Sequence, residues 1–149
     1  MKVLDAFALA TVLVTGFVGS AEFGSAVLVH PVIRRLKTDD QLIMEQGLLK
    51  SFGRVMPVGM TAATALAIII AIDEPNAWLV SAAISLGVAL VVTIIGNVPI
   101  NSRTGRITEE TAPEGFIAMR RKWDAFQIVR ASLQLLGFVL VTIGVVGFN

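Results

Sequence analysis

The chain has no cysteine, no tyrosine and a single histidine, His30. Without cysteine there are no disulfides and no thiolate metal sites. One histidine with no cysteine gives no ligand set for a structural zinc or a haem. A mixed His/Glu/Asn site for iron or copper has no spacing motif behind it, so metal and cofactor are left unknown. Glycine-rich phosphate loops, a nucleophile elbow and an HExxH helix are also absent. Charge is scarce: 15% of the 149 residues are charged, against about 25% in soluble domains. The formal net charge is only +1, so nothing points to a nucleic-acid partner.

What is abundant is apolar surface, at 55% of residues and a mean hydropathy of +0.80. A chain so apolar has too little polar sequence to cover a water-soluble core. Four runs reach the roughly 20 residues that cross a bilayer. They cover about 6–29, 56–72, 78–100 and 126–148. The first, after Lys2, resembles a signal peptide in outline, but its apolar run is long and holds Asp5; it is read as an uncleaved span. The second helix is expected to start well before its span, with Thr38 or Asp39 as cap, and to kink at Pro57 and Gly59. The fourth is expected to start at Pro113. Small residues such as Gly16, Gly19, Ser20, Gly24, Ala62, Ala65 and Gly87 suit close helix approach.

The basic residues fall in two blocks. Arg34, Arg35, Lys37, Lys50 and Arg54 lie in the first loop; Arg103, Arg106, Arg120, Arg121 and Lys122 lie in the third. The middle loop has Asp73 and Glu74 and no cation. The positive-inside rule places loops one and three in the cytoplasm and both termini on the extracytoplasmic side. The expected fold is all-α: one transmembrane domain over 1–149, an integral four-helix bundle in the cell membrane.

Ionisable groups inside a span are costly and are expected to face inward, paired. Glu22 lies about eight residues before the cytoplasmic end of span one, and Arg130 about eight after the start of span four. At 1.5 Å per residue both sit roughly 12 Å deep, so antiparallel neighbours bring them together. The bland alternative is a salt bridge that only fixes register. Trp123, Gln127, Arg130 and Gln134 are spaced 4, 3 and 4 and share one helix face. Such a stripe suits a flat molecule with polar edges, or hydrogen bonding between helices alone. Asn97 and Asn101 flank Pro99 in "NVPIN"; they either replace lost backbone partners or orient a ligand oxygen. His30, before Pro31, reads first as a helix-end residue near the interface, close to the depth of these asparagines.

"GSAVLVHPVIRRL", "NVPIN" and "RRKWDAFQIVRASLQLL" resemble the anthrone oxygenase-like family of small four-span membrane proteins, over the whole chain. The specific part is Asn97-x-Pro99-x-Asn101 with Trp123 seven residues before Arg130. The family often has His or Asn four residues after the tryptophan; here Gln127 stands there, and an amide cannot act as a base. The resemblance implies oxidation of an anthrone-like or quinol-like aromatic by dioxygen. It implies Glu22 as base with His30 as second candidate, Arg130, Asn97, Asn101 and Gln127 on the oxyanion, and Trp123 on the ring. The partners are then membrane lipid and an apolar aromatic. A non-catalytic subunit or lipid-binding protein of a larger assembly is the competing reading, and a homo-oligomer is left open. A transporter ranks below both, for want of an inverted repeat.

Overall fold

The computed structural model describes residues 3–147, with side chains from residue 6. Its regular structure is all helical, with no strand among the described residues. The helices are α1 Val3–Gly24, α2 His30–Ile33, α3 Thr38–Asp73, α4 Ala77–Val92, α5 Val98–Gly105 and α6 Phe116–Val146. Two π-helical stretches, Ser25–Val29 and Thr93–Asn97, join α1 to α2 and α4 to α5. Four continuous apolar helical spans result: Ala6–Ile33, Thr38–Asp73, Ala77–Gly105 and Phe116–Val146. The protein is a multi-pass integral membrane protein. Lys2 and position 148, where the fourth expected span ends, lie outside the described residues.

The two π stretches have one cause. Each ends one residue before a proline dipeptide, His30-Pro31 and Val98-Pro99. Proline has no N–H and crowds the turn before it. Inserting one residue into the ladder relieves the crowding, and π turns of this kind recur at functional sites. The His30 N–H then donates to the Ser25 carbonyl, and the Val98 N–H to the Thr93 carbonyl. The first and third helices therefore pass through their prolines and run to Ile33 and Gly105, beyond the expected ends of their spans.

Two expected helix starts move. The cap of α3 is Lys37, with Asp39 and Asp40 in the first turn, where the helix dipole favours acids. The Ala112 N–H donates to Asp39 Oδ1 at 2.8 Å, tying the third loop down. Helix α6 starts at Phe116, three residues after the proposed Pro113, because Gly115 takes φ 79° and breaks the turn. Pro57 lies inside α3, which stays one helix.

Helix α1 packs on α3 and α6, and α4 packs on α3 and α6, so the order around the bundle is α1, α3, α4, α6. Glycine sets the close approach of α1 to α6. A Cβ on Gly19 would lie 2.9 Å from the Gln134 carbonyl oxygen, and one on Gly16 2.9 Å from the Phe138 ring. Gly24 and Gly87 meet nothing within 4 Å, and Ser20, Ala62 and Ala65 are exposed, so these small residues do not mediate approach.

The two ends of the bundle differ. Toward the Asp73–Ala77 turn, Ala67, Ala82, Leu86 and Val141 form one apolar cluster and Ile70, Ala71 and Leu79 another. Toward the basic loops, the interior is polar. Glu22, His30, Glu45, Asn97, Arg120, Gln127 and Arg130 are all buried there.

Candidate functional site

Every member of the α6 stripe points inward: Trp123, Gln127, Arg130 and Gln134 are buried, and Arg120 extends the line. Glu22 and Arg130 meet as the depth argument expects, with Arg130 Nη2 2.8 Å from Glu22 Oε2. Gln127 knits the pair together. Its Nε2 donates to Glu22 Oε2 at 3.0 Å, and its Oε1 accepts from Arg130 Nε at 2.7 Å. The third guanidinium nitrogen, Nη1, has only long contacts, 3.5 Å to Met60 Sδ and 3.4 Å to Thr93 Oγ1. It is the part of Arg130 that a better acceptor could claim.

A second charged cluster lies closer to the basic end, and the sequence reading did not find it. Its centre is Glu45, 2% exposed, on α3. Arg120 Nη2 donates to Glu45 Oε2 at 2.6 Å. Arg34 Nη1 lies 2.8 Å from Oε1 as a charge contact outside hydrogen-bond alignment. Arg34 also donates from Nε and Nη2 to the two Asp124 oxygens at 2.7 and 2.8 Å, a bidentate pair. Burial alone would depress the Arg34 guanidinium, but the bond to Asp124 and the charges of Glu45 and Asp124 outweigh it and raise its pKa. The signal for Glu45 was its spacing. It falls three residues after Leu42 and four before Leu49, on the line continued by Met56 and Ala63.

His30 is buried, 6% exposed, where the sequence reading placed it at the interfacial helix end. The π turn leaves the Ser25 carbonyl 2.9 Å from His30 Nδ1, with Ser25 Oγ at 3.1 Å. A carbonyl oxygen can only accept, so Nδ1 is the donor in this contact and Nε2 is the nitrogen turned away from it. Nε2 stands 3.8 Å from Glu45 Oε2. The ring packs on Trp123 with centroids 4.5 Å apart, and the Arg120 guanidinium sits 4.4 Å from the Trp123 ring centre.

These side chains line a cavity. One wall is apolar and belongs to α3, with Leu48, Leu49, Phe52, Met56 and Pro57. The other is polar, with His30, Glu45, Thr93, Asn101, Trp123, Gln127 and Arg130. Counted out to its mouth the free space is about 540 Å³, within which the centre of a water-sized sphere can range over about 60 Å³. The exposed lining residues Pro57 and Val98 stand on α3 and α5, so the cavity opens sideways between those helices.

Not every sequence candidate reaches it. Glu22, Asn97 and Gln134 are absent from the lining. Glu22 is screened by Gln127 and Arg130. Asn97 Nδ2 donates to the Trp123 carbonyl at 3.3 Å, which serves helix packing. Gln134 is fully buried with neither amide atom partnered. Three atoms without a hydrogen-bond partner do belong to lining residues: Glu45 Oε1, which has only its charge contact with Arg34, and Trp123 Nε1 and Asn101 Oδ1, one donor and one acceptor. Buried polar atoms without partners are costly, and a ligand or ordered water relieves them. No cluster of three or more His, Cys, Asp or Glu that could hold a metal occurs among the described residues.

A family model described as Anthrone oxygenase matches residues 46–140. The matched stretch holds Asn97, Asn101, Arg120, Trp123, Gln127, Arg130 and Gln134, while Glu22, His30 and Glu45 precede it. No curated protein and no solved structure matches the chain.

Proposed function

The chain belongs to the anthrone oxygenase family, and from that premise we propose that it oxidises the methylene of an anthrone-type aromatic ketone with dioxygen in the basic-end cavity. The observation that carries this reading is the placement of an imidazole and a cationic donor in one half-apolar cavity. His30 packs against Trp123, and Arg130 lies seven residues further along α6. Seven residues of helix rise about 10 Å. A tricyclic ketone carries its methylene and its carbonyl oxygen on opposite edges of the middle ring. Its two reacting edges thus suit a base at one end of the cavity and an oxyanion partner at the other.

The chemistry follows from these positions. His30 Nε2 takes a methylene proton, and the electron pair moves into the ring and onto the ketone oxygen. Arg130 Nη1 exchanges its long contacts for that oxyanion. The electron-rich anion reduces dioxygen and bonds to it at the former methylene carbon, and the peroxide anion so formed takes the proton back from His30 to give a hydroperoxide. His30 then removes the second C–H proton as the O–O bond breaks, its electron pair forming the ketone C=O, and the departing hydroxide takes that proton from His30 to leave as water. The sum is one methylene and one dioxygen giving one carbonyl and one water. Glu45 faces the imidazolium during the cycle, and the apolar wall of α3 takes the ring edges.

The test is oxygen uptake and quinone formation from anthrone by purified protein in bilayers, with spontaneous oxidation subtracted. His30→Ala should lower the rate by about 10²-fold or more, the usual share of a general base. Glu22→Gln should keep a measurable rate, since Glu22 is outside the cavity lining. A His30→Ala protein as fast as the wild type would remove His30 as base.

The pairing of both buried acids, Glu22 with Arg130 and Glu45 with Arg120, favours a second reading: binding of the aromatic without turnover. The same assay separates the two, because saturable binding with no quinone formed supports only the second.

A further inference from the structure

A second cleft lies on the outside of the bundle, between α5 and α6 at the basic end, with room of about 370 Å³. Its floor is apolar, with Ile95, Pro99 and Phe126. The Phe126 ring lies against the Gly96 backbone, where a Cβ would be 2.5 Å away, and this contact closes the inner side of the cleft. Two exposed cations line the same cleft from different helices, Arg103 from α5 and Lys122 from α6. Neither is within ion-pair distance of a carboxylate among the described residues, whereas Arg34, Arg120 and Arg130 all are. The acids nearby do not compensate them. Asp124 is held by Arg34. Glu114 borders an adjoining cleft with Arg103 and forms no ion pair with it.

Two uncompensated cations over an apolar groove at the membrane boundary are complementary to one kind of molecule. We propose that this cleft is a binding site for an anionic phospholipid. The phosphodiester sits between Arg103 and Lys122, and an acyl chain lies along Ile95, Pro99 and Phe126. A zwitterionic lipid could fill the groove equally well, but its own ammonium would stand against the two cations. Basic residues near a membrane surface each favour anionic lipid severalfold, and convergence of two on one headgroup gives selectivity as well as attraction. The site is separate from the central cavity, whose lining includes neither Arg103 nor Lys122.

The test uses the full chain in phosphatidylcholine nanodiscs, titrated with phosphatidylglycerol or phosphatidylcholine of the same acyl chains and read by native mass spectrometry. We expect about a tenfold preference for phosphatidylglycerol. The double variant Arg103→Gln, Lys122→Gln should bring the two lipids to near parity, and Arg103→Lys, Lys122→Arg should keep the preference. Millimolar inorganic phosphate should leave bound phosphatidylglycerol in place. Equal retention of both lipids by the wild type, a preference that survives the double glutamine variant, or displacement by inorganic phosphate would each overturn the proposal.

Discussion

Glu45 and Glu22 are both buried acids paired with arginine, yet only one was found by reading residues in order. Glu22 interrupts an apolar run, where a single carboxylate is conspicuous and must find a cation. Glu45 lies among Asp39, Asp40, Gln46 and Lys50, where one more charge looks like part of a solvated face. Its pairing depends on Arg34 arriving from the turn after α2 and Arg120 from α6, contacts no local pattern encodes. Those two cations make Glu45 the more sensitive position. Glu45→Ala leaves Arg120, 1% exposed, without its counter-charge. Breaking such a pair from one side costs about 3–5 kcal/mol. Thermal unfolding in detergent should show a large drop for Glu45→Ala and a smaller one for Glu45→Gln, which keeps an oxygen facing Arg120. Equal, small shifts for both would mean that solvent already serves Arg120.

At the scale of the helix, spacing predicted more than capping did. The stripe of Trp123, Gln127, Arg130 and Gln134 was visible because four polar or aromatic residues recur at helical intervals in an apolar sequence. The prolines at 31 and 99 were visible too, the first read as a helix end and the second as a gap in the backbone ladder, whereas a π turn before each lets the helix continue. That outcome depends on the neighbouring helices holding the loosened turn, which sequence alone does not show. The glycines show the same limit. Gly19 and Gly24 look alike in sequence, but only Gly19 faces a backbone, that of α6 at Gln134. Gly19→Ala must push α1 and α6 apart, at a cost of about 1–3 kcal/mol, the range for overpacking. Gly24→Ala should be neutral or slightly stabilising, as expected for alanine in an open helical position. A melting temperature unchanged by Gly19→Ala would show that the contact between the two helices yields readily.

For the whole molecule, apolar length and charge asymmetry were enough to anticipate an all-helical membrane bundle, because lipid admits so few backbone solutions. Which side the basic end faces can be measured directly in a chain with no cysteine of its own. Asp73→Cys, at the acidic turn, should react with a membrane-impermeant maleimide added to intact cells, and Arg106→Cys, beyond α5, only after lysis. The reverse pattern would invert the orientation that the charge bias predicts. The sideways mouth of the central cavity, between Pro57 and Val98, has a kinetic consequence. A substrate that enters there is drawn from the bilayer, so its effective concentration is a mole fraction among lipids. Diluting the protein and substrate with more lipid at constant bulk concentration should slow the reaction, although nothing changes in the water.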